Sequence, residues 1–312
     1  MDLSIVVSTR DRGERVLPAV ESVLRDQGCR WELIIVDQSS SGSTEAALGA
    51  RGVLKDHRLT YRRTTATGLS RGRNEGLRYA RGDVVAFTDD DCLVPAGWGG
   101  ELVRRFASMP EVAILYASVV APANAAEGWV PEFHPLREGL VRLSPGIVRD
   151  LGLGANFAVR SSAVATIGPF DEVLGAGEAF GAAEDTDFGY RALRRGLEVY
   201  TAREPAVIHC GVRRGGEISA TASQYVRGMA AMCMKHVRCG DRQMLAPITA
   251  SLRKRVGEGV GHLMRGQRPA GFRAAGAALQ GMLGSFRYSV DRERRLYRPR
   301  PDGSRGTMNR DG

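Results

Sequence analysis

The 312-residue sequence predicts an α/β fold, a doubly wound, mostly parallel sheet with a C-terminal helical extension. Three observations carry this reading. Short apolar runs alternate with segments of helical spacing throughout the first half. Several runs end in acidic or hydroxyl residues, as strands do where their C-terminal edge faces a ligand crevice. After Arg213 the strand signals cease and apolar residues recur at three- and four-residue intervals.

Taken in order, Leu3–Ser8 suits a buried strand, and Val16–Asp26 has helical spacing that stops at Gly28. Leu33–Val36 is a second strand ending in Asp37, and the hydroxyls of Ser39–Ser43 can cap a short helix through Leu48. A strand over Leu59–Arg62 precedes a helix over Ser70–Ala80, closed by Gly82. The strand Val84–Phe87 then runs into Asp89-Asp90-Asp91, followed by a helix over Pro95–Met109 and a strand over Val112–Val119. Ala121–Asp150, rich in Pro, Ala and Gly, reads as a long loop over the crevice. A strand resumes over Gly154–Arg160, and the small-residue stretch Gly175–Ala183 reads as mobile. An amphipathic helix covers Glu184–Arg195, and Glu198–Tyr200 and Ala206–Ile208 are short strands. Helices follow at about Ile218–Cys239, Ile248–Met264 and Phe272–Val290. The expected organisation is a sheet domain over 1–212, a basic helical extension over 213–296 and a disordered tail over 297–312.

With 43% hydrophobic and 25% charged residues, the composition is that of a globular protein and excludes a disordered chain. No run of eighteen apolar residues predicts a transmembrane helix. The first residues lack a basic segment followed by an apolar stretch, so no secretory signal is expected. Five cysteines without C-x-x-C spacing argue against a disulfide framework or a structural zinc, and a cytoplasmic protein is expected. Residues 213–312 carry 20 Lys and Arg against 7 Asp and Glu, whereas residues 1–212 carry 24 against 28. That asymmetry points the basic end at a polyanion, with peripheral contact to the inner face of the cytoplasmic membrane as one reading. Packing on the body or in a homodimer is the other. With only 6% aromatic residues and no recognition motif, nucleic acid is disfavoured.

Adjacent carboxylates repel one another, and a divalent cation such as Mn2+ or Mg2+ relieves the repulsion at Asp89-Asp90-Asp91. A solvated acidic turn is the plainer alternative. Thr9-Arg10 and Asp37 close neighbouring parallel strands, so Arg10 can meet phosphate while Asp37 accepts a bond from a base or ribose. Gly68–Gly76 opens a helix whose free N–H groups, with Arg71 and Arg73, suit a diphosphate; a solvated face is the reading preferred for Arg71. Glu184 and Asp185 follow a glycine-rich segment and can supply a general base, whereas Asp187 reads as a helix-dipole cap. His209 ends a short strand and can fill an open metal position.

These motifs, in this order over about residues 2–212, resemble family-2 glycosyltransferases of the GT-A fold. Thr9-Arg10 and Asp37 resemble the family's nucleotide-binding strand ends, Gly72-Arg73-Asn74 its helix start, and Asp89-Asp90-Asp91 its Asp-x-Asp motif. Gly154–Arg160, with Asn156, resembles the acceptor-side strand, and Gly168–Glu172 with Glu184-Asp185 the segment bearing the base. The sequence departs from common forms at Gln38, where an acid or Asn is frequent, and at Ala183, which is often Gly. The resemblance implies a nucleoside-diphospho-sugar donor bound by Thr9, Arg10, Asp37, Arg73, Asn74, Asp89 and Asp90, and a glycan or lipid-linked acceptor beside Asn156. It further implies a divalent metal on Asp91 and His209, and Asp185 as base with Glu184 beside it. Gln224-Tyr225-Val226-Arg227-Gly228 is similar to the Gln-x-x-Arg-Trp motif of processive synthases but lacks the Trp, which implies single-sugar transfer. A sugar-nucleotide pyrophosphorylase would need a glycine-rich loop after the first strand, yet Ser8–Gly13 has one glycine. A dinucleotide dehydrogenase would need G-x-G-x-x-G there.

Overall fold

The computed structural model describes residues 1–123, 125, 128–144, 146–266 and 270–300. Strands β1 (Leu3–Thr9), β2 (Trp31–Asp37), β3 (Leu59–Arg63) and β4 (Val84–Asp89) alternate with helices α1 (Leu17–Leu24), α2 (Ser43–Ala50) and α3 (Leu69–Tyr79). All seven residues of β2 are buried. A parallel strand covered on both faces reads as one continuous apolar run, which is why it is visible in the sequence.

The body continues with β5 (Cys92–Leu93), α4 (Trp98–Ser108), β6 (Val112–Val120), β7 (Gly139–Leu140), β8 (Phe157–Arg160), α5 (Ser161–Ile167), α6 (Glu184–Arg194) and β9 (Glu198–His209). Helices α7 (Gly216–Arg238), α8 (Leu245–Met264) and α9 (Ala270–Gly284) follow, then a hairpin of β10 (Ser289–Asp291) and β11 (Leu296–Arg298). Among the described residues, nine strands form one sheet in the order β3-β2-β1-β4-β8-β6-β9-β5, with β7 on β9. β1 to β4 pair in parallel, as do β6 and β9, but β8 runs antiparallel between β4 and β6. A parallel return requires a crossover, usually a helix. Among its described residues, the chain from Val120 to Phe157 contains only β7 and one 3-10 turn, and it re-enters from the edge it left. Residues 153–156 consequently lie at the C-terminal edge of β4.

Several expectations are corrected. The two short strands after residue 197 are one strand, β9, because Arg203–Ala206 bulge out between two stretches paired with β6. The last helix stops at Gly284, short of Val290, and the chain turns into the hairpin. Tyr297, expected in a disordered tail, is buried: its hydroxyl donates to the Ala231 carbonyl at 2.6 Å and its N–H to Asp171 Oδ2 at 2.9 Å. Residues 301–312 of that expected tail lie outside the described residues. Gly175–Ala183, read as mobile, is pinned to α3 by the Leu69 N–H on the Ala176 carbonyl (2.9 Å) and by Arg71 on Glu178 (3.0 Å).

The helical extension is joined to the body. Met232 and Cys233 of α7 belong to the core cluster that holds the sheet and Phe157, Phe170 and Phe188. Phe170 stacks on Phe188 with centroids 4.4 Å apart, a geometry worth about 1 kcal/mol beyond burial.

Candidate active site

β4 delivers Asp89 at its last position, and the turn into β5 carries Asp90 and Asp91. β5 pairs antiparallel with the end of β9, setting Cys92 opposite His209, and the Cys210 N–H donates to the Asp91 carbonyl at 2.8 Å. Backbone pairing thus brings His209 to the acids, with Nε2 3.7 Å from Asp91 Oδ1. Donor atoms of Asp89, Asp91, Cys92 and His209 all lie within 4.8 Å of one another. Burial pushes the Cys92 thiol well above its ordinary pKa, which leaves two carboxylates and an imidazole, an oxygen-rich set that suits Mn2+ or Mg2+. A Cβ at Gly211 would overlap Asp91 Oδ2 and stand 2.7 Å from His209 Cε1, so a side chain there would displace one of the two. The Gly211 N–H donates to His209 Nδ1 at 3.1 Å, which in the neutral ring leaves the proton on Nε2. For Nε2 to offer a lone pair to a cation, that proton must move to Nδ1, and the hydrogen bond from the Gly211 N–H must be given up.

Arg12 stands across these acids, its Nη2 2.8 Å from Asp90 Oδ1 and 3.0 Å from Asp91 Oδ2. Burial lifts the Asp90 carboxyl above its usual range even though Arg12 opposes the shift. On the facing wall, buried Arg73 bridges Asp89 (3.1 Å) and Glu184 (2.8 Å). A Cβ at Gly154 would stand 2.5 Å from Arg73 Nη1, so a side chain there would displace the guanidinium from its two acids. Asp185 accepts the Gly154 N–H on Oδ2 and the Thr186 N–H on Oδ1, each at 2.6 Å. Burial, and then the charge of Asp185, lift Glu184 to about 7 against the pull of Arg73.

Both groups line one cavity of about 610 Å³ at the C-terminal edge of the sheet, a size typical of small-molecule sites. Thr9, Arg10, Arg73, Asp89, Asp90, Asp91, Glu184, Asp185 and His209 all line it. Three expected residues do not. Asp37 is fully buried, with Ser39 Oγ and N–H on Oδ1 and the Tyr61 hydroxyl on Oδ2 at 2.6 Å; its neighbour Gln38 faces the cavity instead. Asn74 staples α3 to the next segment by exchanging bonds with the Phe170 backbone at 3.0 and 2.7 Å. Asn156 is consumed by Trp98 Nε1 and by the Ser118 and Pro205 carbonyls. Buried amides need every partner they can find, and these find protein ones.

Other lining residues lie outside the expected set. Arg12, Arg213 and, from α7, Thr221, Gln224 and Tyr225 line the cavity. The Gln224-Tyr225 motif was a usable signal; Arg12 had none beyond its place after a strand end. Asp187, expected as a dipole cap, is buried and bonded to Arg191, Lys235 and His236, and Arg71 is ion-paired with Glu172 and Glu178.

The described residues contain no helix long and apolar enough to cross a membrane. Among solved structures, the mannosyltransferase PcManGT from Pyrobaculum calidifontis, in complex with GDP-Man and Mn2+, superposes with a TM-score of 0.62 at 17% identity, over 92% of this chain and 76% of that one. TarS 1–349 of S. aureus, in complex with UDP-GlcNAc, gives 0.56 at 16% identity, over 75% and 66%. At such identities the likeness establishes the GT-A fold. The O-antigen biosynthesis protein RfbC of Myxococcus xanthus is 24% identical over 262 residues, 80% of this chain and 19% of that protein. The matches span between 19% and 40% of the curated relatives' own lengths. The sequence profile of Glycosyl transferase family 2 matches residues 4–168, from β1 through the acid cluster to the end of α5. With more than half of the chain matched and the acid-lined cavity inside the GT-A sheet, the chain belongs to glycosyl transferase family 2.

Proposed function

We propose that the chain moves one sugar from a nucleoside-diphospho-sugar to an acceptor hydroxyl, with inversion, in the synthesis of an envelope glycan, polysaccharide or glycolipid. The observation that supports this is the convergence, across one cavity, of Asp89, Asp91 and His209 with Glu184 and Asp185, linked by Arg73. The nucleotide sugars bound by the two structural neighbours indicate the class of donor.

In this reading the base lies along Thr9 and Gln38, with Asp37 behind them. Arg10 and Arg12 meet the diphosphate, and Asp89 and Asp90 lie along the ribose side. Ser8 Oγ, buried in the cavity wall with no partner, is available to the donor. Asp91 and His209 would hold the divalent ion, which when bound neutralises charge on the leaving diphosphate. Asp185, oriented by two backbone N–H groups, takes the acceptor proton as the acceptor oxygen bonds the anomeric carbon. The bond from that carbon to the diphosphate breaks, and its electron pair leaves on the phosphate oxygen. A positioned base contributes roughly a hundred- to ten-thousandfold in rate. Basic residues of the extension, among them Arg253, Lys254, Arg265 and Arg273, support docking on an anionic membrane, each contributing about 1 kcal/mol near the surface. Arg295 and Arg298 contribute less, being paired with Asp241 and Asp291.

The test is a thermal-shift screen of nucleotide sugars with and without Mn2+. A ligand at a hundred times its Kd stabilises by about 2.7 kcal/mol, so one nucleoside-diphospho-sugar should raise Tm by several degrees only when Mn2+ is present. Asp91→Ala should abolish the Mn2+-dependent part while remaining folded. A shift unchanged by EDTA in the wild type contradicts the metal assignment.

A further inference from the structure

Arg12 occupies a place that two ligands would contest. The loop after β1 fixes its root: Asp11 turns the chain at φ 53°, donates its N–H to Ser39 Oγ at 2.8 Å and accepts the Ser40 N–H at 2.9 Å. From there the side chain reaches the acid cluster, and both ion pairs run through Nη2, to Asp90 Oδ1 at 2.8 Å and Asp91 Oδ2 at 3.0 Å. Among the described residues, Nε and Nη1 have no side-chain partner, and the side chain is 29% exposed. Asp91 is thus faced on both oxygens, Oδ2 by Arg12 and Oδ1 by His209 Nε2 at 3.7 Å. A divalent ion on Asp91 would stand beside the guanidinium, and like charges so close cost about tenfold in affinity or more. A diphosphate in the same cavity offers the guanidinium acceptors that it binds in bidentate fashion. Only Nη2 has to leave the acids for that contact.

We propose that Arg12 exchanges between the acid cluster and the donor diphosphate, so that a divalent ion gains full access to Asp91 only when the donor is in the cavity. This exchange rests on the glycosyl-transfer reading and adds to it the order in which ion and donor meet. Arg12 keeps the affinity for the bare ion low. Once the diphosphate takes the guanidinium, the repulsion is relieved, and ion and donor raise each other's affinity by the same factor.

The experiment measures Mn2+ binding to the full chain by electron paramagnetic resonance, first without nucleotide and then with UDP or GDP, corrected for Mn2+ held by free nucleotide. Arg12→Gln removes the charge and should bind Mn2+ alone about tenfold more tightly than the wild type, or better. The factor by which the nucleotide tightens Mn2+ binding should be smaller in Arg12→Gln by the same amount. Arg12→Met replaces it if Arg12→Gln does not fold. Arg15→Gln removes an exposed charge from the same loop without touching the acids, and should leave Mn2+ affinity within about threefold, as screening of exposed charge implies. Mn2+ binding by a folded Arg12 variant no tighter than in the wild type, or an equal gain in Arg15→Gln, overturns the exchange. If neither wild type nor variant binds Mn2+, the metal assignment falls with it. Mn2+-dependent stabilisation by nucleotide sugars, read on the same samples, reports separately on the transfer reading: if it persists while Arg12→Gln shows no gain, the exchange alone is wrong.

Discussion

Lys235→Met tests how far the helical extension is part of the catalytic body. Lys235 Nζ lies 2.7 Å from both Asp171 Oδ2 and Asp187 Oδ1, and all three side chains are at most 1% exposed. Burial pushes the Asp187 carboxyl up, but Lys235, Arg191 and His236 outweigh it and hold it well below the usual range. Methionine keeps most of the stem and removes the charge. Breaking a buried pair by removing one partner costs about 3–5 kcal/mol. Here the stranded carboxylates keep other donors: Arg191 and His236 on Asp187, each at 2.8 Å, and the Tyr297 N–H on Asp171 at 2.9 Å. The loss should therefore fall at the lower end, about 3 kcal/mol, or roughly 5–10 °C in Tm for a chain of this size. Asp187 has a depressed folded pKa, so its contribution is present above its unfolded value near 3.8 and lost as pH falls through the folded one. The difference between wild type and variant should thus shrink in acid. Asp187 is also in the first turn of α6, its N–H on the Ala183 carbonyl at 2.9 Å, beside Glu184 and Asp185. Misplacing that turn should lower kcat roughly ten- to a hundredfold and leave the donor KM nearly unchanged. Thermal melts across pH and steady-state kinetics read both effects. A variant within 1 °C of wild type with full turnover would refute the reasoning.

Ala183 caps α6 at φ 79°, a left-handed conformation in which a Cβ costs about 1–2 kcal/mol. Ala183→Gly should therefore raise Tm, offset in part by the looser unfolded chain, and a lower Tm in a thermal melt counts against the strain. Burial lifts Glu178, on the segment over α3, to about 7 against the pull of Arg71. Its folded pKa exceeds the unfolded value of 4.5, so its charging should reduce stability as pH rises from about 4.5 to about 7. Glu178→Gln should flatten that part of the stability profile, and an unchanged slope in denaturant melts contradicts it.

The parallel half of the sheet was legible because β1, β2 and β4 are covered on both faces and so show as continuous apolar runs ending in Thr9, Asp37 and Asp89. His209 was legible as a residue type at a strand end, but its neighbour depends on the two-residue pairing of β5 with β9, too short to leave a pattern. Arg12 reaches the acids because Asp11 turns the chain at φ 53°, which composition does not reveal. Asn74 and Asn156 looked like ligand-facing amides because their motifs border the crevice, yet each is drawn into backbone bonds. Asp187 looked like a helix cap since its partners Lys235 and His236 are some fifty residues downstream. Local pattern carries strand ends and helix starts; it does not carry the long-range partner that decides whether a polar group faces ligand or core.

The anomeric configuration of the transfer product, read by NMR with the nucleotide sugar that stabilises the protein in Mn2+, bears most directly on the account. One carboxylate, Asp185, is held by two backbone N–H groups beside the cavity and is assigned the acceptor proton, a role that belongs to a single displacement without a covalent sugar intermediate. The account predicts inversion in the wild type, and no product from Asp185→Asn despite retained donor binding. Retention of configuration, or full turnover by Asp185→Asn, would contradict it.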